Sequence, residues 1–301
     1  SISMVEAIAQ SCDIYFGMLA GGYREFEGLG QEALHNYALL FGLGQPTGID
    51  LPGENAGLAP DETWKRLTYG ETWVTGDTYN VAIGQGFILA TPLQILNATA
   101  AIANGGKLYR PQLVREIKDV EGNVVRPFRP ELIRELPVSP ETIAMVRQGV
   151  RGAVTHGTAR GANLGEVAVA GKTGTAEFPG RRDWEGNLPT HAWFTAFAPF
   201  DDPEIALVVF VEGGGEGGTV AVPIAAEILS YPLCGRHLRG GLCSVERGSS
   251  PPAGEPCHKR IVPTWIYLQN SHSGGRVGRR DCGSQIGAVL PRDDMDPSSI
   301  R

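Results

Sequence analysis

The stretch Val167-Ala168-Val169-Ala170-Gly171-Lys172-Thr173-Gly174-Thr175-Ala176-Glu177 limits what this chain can fold into more than any other. Alternating Val and Ala predict a strand buried on at least one face, which then delivers a Lys and two Thr hydroxyls around a Gly. Glycine inside a strand marks a place where a second backbone comes close. A cation and two hydroxyls at such a place suit the grip of a carboxylate. A surface strand ending in a Gly turn with a solvated Lys would use the same letters, so the rest of the chain must decide.

Met4, Val5, Ile8 and Ala9 recur at helical spacing and run into Ser11-Cys12-Asp13, which sets Ser11 at or beside a helix end. Capping of that end is the plain reading of Ser11 and Asp13. Gln31 to Phe41 predicts an amphipathic helix closed by Gly42 and Gly44. The Pro-rich stretch from Gln45 to Tyr79 predicts loop without a titratable cluster, with Trp64 and Trp73 as packing anchors. Gly84-Gln85-Gly86 reads as a tight backbone crossing, since neither a third glycine nor a P-loop Lys follows. Thr91, Pro92 and Gln94 open a buried helix that stops at Gly105-Gly106.

Lys107 to Pro127 predicts a hairpin around Glu121-Gly122-Asn123, and Ser139-Pro140-Glu141 starts another helix. His156 follows it as a structural loop residue with no carboxylate partner visible in the sequence. Trp193 to Ala198 and Ile205 to Val211 predict two strands whose short connection makes them antiparallel. Gly213-x-Gly215-x-x-Gly218 matches a dinucleotide fingerprint, but no acidic residue lies some twenty positions on and no second parallel strand follows, so a nicotinamide cofactor is not expected. Pro223 to Ser230 completes the pattern as a helix.

Composition divides the chain. Residues 1–232 hold sixteen Lys and Arg against twenty-seven Asp and Glu, whereas residues 233–301 hold ten against six. The net charge of −7 speaks against a nucleic-acid partner. Cys12 stands alone in the first part, and Cys234, Cys243, Cys257 and Cys282 fit no C-x-x-C zinc spacing, so no metal or other cofactor is expected. From Leu233 apolar periodicity vanishes among Arg, Gly, Ser and Pro. Residues 233–301 are therefore expected to form no packed structure, as an unrelated or disordered tail, with a reading-frame shift as the favoured origin.

Taken together, Lys172-Thr173-Gly174-Thr175, Ser11-Cys12-Asp13, Gly84-Gln85-Gly86, Thr91-Pro92-Leu93-Gln94, Phe41-Gly42-Leu43-Gly44, Thr47 to Glu54 and His191-Ala192-Trp193-Phe194 resemble the transpeptidase domain of the class B penicillin-binding proteins, over residues 1 to about 232. The resemblance is nearest to their elongation branch. It implies an α+β, serine β-lactamase-like fold in which an antiparallel sheet carries the K-T-G strand and helices flank it. The cleft lies between that strand and the helical side. It further implies acyl transfer: an active-site Ser attacks the D-Ala-D-Ala carbonyl of a peptidoglycan stem peptide, an amine resolves the acyl-enzyme, and β-lactams acylate the same Ser.

In the roles the resemblance implies, Ser11 carries the proton towards the leaving group, and Asp13, standing where relatives have Asn or Asp, can hydrogen-bond a neighbouring Lys. Lys172 supports the relay and the positive field. Thr173, Gly174 and Thr175 hold the substrate, and the Thr175 N–H forms half of the oxyanion hole. The sequence contains no S-x-x-K. The nucleophile and its Lys, the first strands of the sheet and a membrane anchor are accordingly expected N-terminal to Ser1, leaving this piece inactive alone and its sheet with open apolar edges. The whole protein would sit at the cytoplasmic membrane with this domain on its outer face, beside a membrane-embedded cell-wall glycosyltransferase. A non-catalytic β-lactam-sensing or scaffold domain, and a serine β-lactamase, are the alternatives of the same fold.

Overall fold

The computed structural model describes residues 2–234 and the strand 261–267. Helix α1 (Met4–Ala9) starts where Ser3 accepts the Glu6 N–H, and α2 (Asp13–Gly21) follows after a break at Ser11. Helix α3 (Gly30–Leu40) matches the expected amphipathic helix to within a residue at each end. The expected loop at 45–79 is corrected: it contains α4 (Glu62–Tyr69) and the start of α5 (Thr75–Ala82). Asp61 caps α4, and Gly70 ends it in the left-handed conformation.

The stretch does hold a buried ion pair, and its work is structural. Lys65 is only 4% exposed and pairs with Asp77 at 2.6 Å, and Asp77 in turn accepts the Val74 N–H at the start of α5. A buried ammonium needs such a partner. Trp64 and Trp73 are packing anchors, both set edge-on or tilted against Phe87.

Helix α6 (Pro92–Ala103) carries the capping box expected of Thr91 and Gln94. Gln94 does more. It is 1% exposed, and its side-chain amide donates to the Gln45 and Ala56 carbonyls at 2.8 Å each, fastening the 45–56 segment onto α6. Next come β1 (Lys107–Tyr109), β2 (Glu116–Lys118), β3 (Val124–Pro127) and β4 (Leu132–Glu135). The hairpin expected between 107 and 127 is β2–β3, while β1 pairs instead with β4, a return that local periodicity does not announce. Helix α7 (Pro140–Thr155) is capped by Ser139.

Strands β5 (Ala170–Glu177), β6 (Thr190–Ala198), β7 (Ile205–Val211) and β8 (Ile261–Tyr267) form one antiparallel sheet in that order, and α8 (Val222–Cys234) follows β7. Val167 to Val169, expected as strand, lie before it. On one face Phe194, Val209 and Val211 pack with Val154 of α7 and Val222, Ala225 and Leu229 of α8. On the other, Phe197, Ala206 and Val208 pack with Leu96 and Ala100 of α6. Helices on both faces of an antiparallel sheet are the expected α+β architecture.

Strand β8 departs from the reading of the last 69 residues as unpacked. It pairs with β7 from Ile205↔Tyr267 to Val211↔Ile261 and so covers that edge of the sheet. The rest of the tail, 235–260 and 268–301, lies outside the described residues. Among the described residues β5 forms the outer edge of the sheet, and no helix is long and apolar enough to cross a membrane.

Candidate active site

Ser11 follows α1 as the left-handed residue of a Schellman closure. Its φ is +54°, its N–H donates to Ile8, and the next N–H, that of Cys12, donates to Ala7. Glycine normally fills this position, because a Cβ in the left-handed region costs about 1–2 kcal/mol. The serine hydroxyl explains the exception: it accepts from Lys172 Nζ at 2.8 Å. Ser11 thus does end a helix, as its plain reading had it, through its backbone, leaving its side chain free to meet Lys172.

Lys172 leads the site on β5. Its ammonium also donates to the Thr173 carbonyl at 3.0 Å. Enclosure by protein pushes Lys172 from the ordinary 10.5 down to about 8, and the Asp13 carboxylate opposes that shift. Asp13, in the first turn of α2, therefore reaches Lys172 as a charge, whereas the Lys172 hydrogen bonds go to Ser11 and Thr173. Replacing Asp13 with Asn removes the opposing charge, so Lys172 is expected to titrate lower still. Following the Lys172 side-chain NMR resonances against pH checks this, and an unchanged midpoint would deny Asp13 its influence.

Thr173 and Thr175 stand on the same strand. Thr173 Oγ1 shares a hydrogen bond with Thr158 Oγ1 at 2.8 Å, and Thr175 Oγ1 accepts the Gly217 N–H at 3.2 Å. Gly174 between them lies against Gly217: a Cβ on Gly217 would stand 2.4 Å from the Gly174 carbonyl oxygen. The Thr175 carbonyl accepts from the Gln85 side-chain amide at 3.0 Å.

The structure therefore joins Ser11 directly to Lys172 and sets Thr173, Gly174 and Thr175 beside them along β5, with Asp13 as a nearby charge. Three residues escaped the sequence reading as parts of this site: Gln85, Thr158 and Gly217. Their only signals were a glycine on either side of Gln85, a Thr shortly after α7, and a Gly-rich run. His156 needs a correction, because a carboxylate does meet it: Glu6 lies 3.1 Å from its Nε2. The pair ties α1 to the end of α7, and both side chains are substantially exposed. The residues Gly213 to Gly218 hold the strand edge, through Gly217 and Thr175, as a packing element.

A cation enclosed by protein, a hydroxyl bonded to it, and two further hydroxyls on a strand that forms the sheet edge among the described residues can bind an anion and move a proton. The family model for the penicillin binding protein transpeptidase domain matches residues 1–230. The peptidoglycan D,D-transpeptidase MrdA of Haemophilus influenzae is 36% identical over 259 residues, covering 82% of this chain and 38% of that protein. Stage V sporulation protein D of Bacillus subtilis is 35% identical over 236 residues, covering 76% of this chain and 34% of that protein. The chain thus spans under two fifths of the length of these relatives.

Among solved structures, Pseudomonas aeruginosa PBP2 in complex with WCK 5153 superposes with a TM-score of 0.64 at 34% identity, covering 76% of this chain and 48% of that one. The PBP2 of a complex with MreC from Helicobacter pylori gives 0.59 at 32%, covering 76% and 41%. With the family model matched over residues 1–230 and relatives 35–36% identical over three quarters or more of its length, the chain belongs to the penicillin-binding protein transpeptidase family.

Proposed function

We propose that this chain is the part of a peptidoglycan D,D-transpeptidase that carries the proton relay and the carboxylate grip of a serine acyl-transfer site. The observation behind this reading is the 2.8 Å hydrogen bond from Lys172 Nζ to Ser11 Oγ, made across 161 positions of sequence by two separately held elements. A Lys lowered to about 8 keeps its charge at neutral pH but gives up its proton far more readily than an ordinary Lys, which suits a group that supports proton movement.

The proposed steps are those of acyl transfer. A serine hydroxyl, supplied by an S-x-x-K segment that this sequence does not contain, attacks the carbonyl between two D-Ala residues. The Thr175 N–H on the free edge of β5 donates to the oxyanion that forms. Ser11, bonded to Lys172, passes the proton to the departing D-Ala nitrogen as the C–N bond breaks. The Thr173 and Thr175 hydroxyls hold the terminal carboxylate, with the Lys172 charge behind them. An amine from a neighbouring stem peptide then attacks the ester, restoring the serine and completing the cross-link. β-Lactams enter the same site as acyl donors.

In this reading the whole protein works on the outer face of the cytoplasmic membrane, with stem peptides as substrates and a membrane-embedded glycosyltransferase as partner. Two measurements test it. Incubated with benzylpenicillin, the 301-residue chain is expected to show no added mass, and a penicilloyl adduct would overturn the assignment of the nucleophile to a missing segment. A hybrid in which residues 2–230 replace the matching segment of the Haemophilus relative is expected to be labelled by fluorescent penicillin. A folded hybrid that takes no label would sink the reading.

A further inference from the structure

The free edge of β5 carries one contact that neither the relay nor the carboxylate grip uses. Gln85 Nε2 donates to the Thr175 carbonyl at 3.0 Å, from a loop ninety positions away in sequence. Both sides of that loop are fixed. On one side the Gly84 N–H donates to Val81 and the Gln85 N–H to Asn80, closing α5, while Gly84 and Gly86 take φ values of +76° and +71°. On the other, Phe87 packs against Trp64 at 5.3 Å and Tyr69 at 5.4 Å between ring centroids, and the buried Lys65 ammonium lies 5.6 Å from its centroid. A side chain held from both sides in this way is aimed, and its target is a single backbone carbonyl.

The position of that carbonyl gives the contact meaning. In an antiparallel strand the N–H and C=O of one residue point to the same edge, and residues two apart share that edge. Thr173 and Thr175 are such a pair. Their carbonyls are taken by Lys172 Nζ and Gln85 Nε2, both side chains, which marks the edge facing away from β6. A peptide laid along this edge as an added strand would pair with the groups of Thr175. A carbonyl oxygen has two lone pairs, so Gln85 can hold one and leave the other for an incoming amide.

We propose that Gln85 is a positioning residue for the acyl donor: it fixes the Thr175 carbonyl so that the amide N–H on the acyl side of the reacting carbonyl is received in register. The proposal rests on the transpeptidase reading above. It makes Gln85 a determinant of selectivity among acyl donors. Ligands with an acylamino N–H beside the reacting carbonyl use the fixed carbonyl, and ligands without one do not.

In the hybrid, Gln85→Ala is expected to slow acylation by benzylpenicillin, which has the acylamino group, about two- to tenfold more than acylation by sulbactam, which lacks it. That span is the worth of one net hydrogen bond. Gln85→Glu, similar in size but without the donor, is expected to change the ratio in the same direction. Equal slowing of both ligands would reveal a merely structural residue, and an unchanged ratio or a raised one would also overturn the proposal.

Binding is read separately on the 301-residue chain. Diacetyl-Lys-D-Ala-D-Ala is expected to move the Gln85 side-chain amide resonances. If they stay still while the hybrid is acylated, the Gln85 proposal fails and the transpeptidase reading stands. If they move while a folded hybrid takes no β-lactam, the transpeptidase reading fails and Gln85 remains a peptide-positioning residue.

Discussion

Lys172→Met in the hybrid transpeptidase is expected to lower acylation by penicillin roughly 10²- to 10⁴-fold, the range that a positioned proton-transfer group supplies. Methionine keeps the length and apolar stem of lysine, so packing along β5 is largely retained. What goes is the ammonium that bonds Ser11 Oγ and the Thr173 carbonyl. Activity that depends on the charged Lys172 should also fall as pH rises through about 8, the value to which enclosure lowers this group.

Stability supplies a second readout of the same residue, with its own sign. Below pH 8 Lys172 is protonated in the folded and unfolded states alike, and the folded state carries the whole penalty of enclosing the charge. Between about 8 and 10.5 the unfolded chain holds more protons than the folded one, so unfolding free energy rises with pH. Above 10.5 the penalty is gone. The wild type should therefore gain on Lys172→Met by on the order of 3 kcal/mol across that interval. Urea unfolding of both proteins at several pH values measures the difference, since titrations elsewhere cancel. A difference that stays flat from pH 7 to 10.5 would mean that Lys172 is not held in a lowered state.

Much of the scaffold was legible because its signals are local. Thr91, Pro92 and Gln94 lie within one turn and state a helix start without help from the rest of the chain. The 45–79 stretch misled because α4 buries a lysine: Lys65 looks like a solvated residue until Asp77, twelve positions on, is brought to it. Val167 to Val169 have the alternation of a strand, but tertiary partners take the Ala168 and Val169 carbonyls. Phe200 N–H donates to Ala168 and Arg151 Nη1 to Val169, at 2.7 and 2.6 Å, and β5 begins only at Ala170.

The site divides in the same manner. Lys172 and Ser11 were legible because each belongs to a short pattern whose chemistry needs the other. Gln85 was not, because one side-chain bond to a distant backbone carbonyl leaves no periodicity in sequence. Ser11 is the instructive intermediate case. Its sequence context says helix end, which is right, yet the residue breaks the glycine preference of that end, and the reason lies 161 positions away.

Gly217→Ala is the substitution with the largest expected effect on folding near the site. A Cβ there would stand 2.3 Å from the Trp193 carbonyl oxygen, 2.4 Å from that of Gly174 and 3.1 Å from the Gly174 nitrogen. These are backbone atoms of β6 and β5, locked by pairing along Gly174↔Trp193, so no flexible side chain can yield. Separating the two strands from this segment should destabilise the fold by about 3 kcal/mol or more, at the upper end of overpacking. It should also draw the Gly217 N–H off Thr175 Oγ1 and depress acylation in the hybrid. Gly213→Ala is the matched control: nothing lies within 4 Å of its added Cβ, and only its φ of +59° resists, worth about 1–2 kcal/mol. The fingerprint-like spacing of Gly213, Gly215 and Gly218 passes over Gly217, the glycine whose missing side chain lets this segment reach the K-T-G strand. Urea unfolding that ranks the two substitutions equally would remove that close approach as the reason for the glycine. A clear excess for Gly217 would assign the run to supporting the strand that carries Lys172, Thr173 and Thr175.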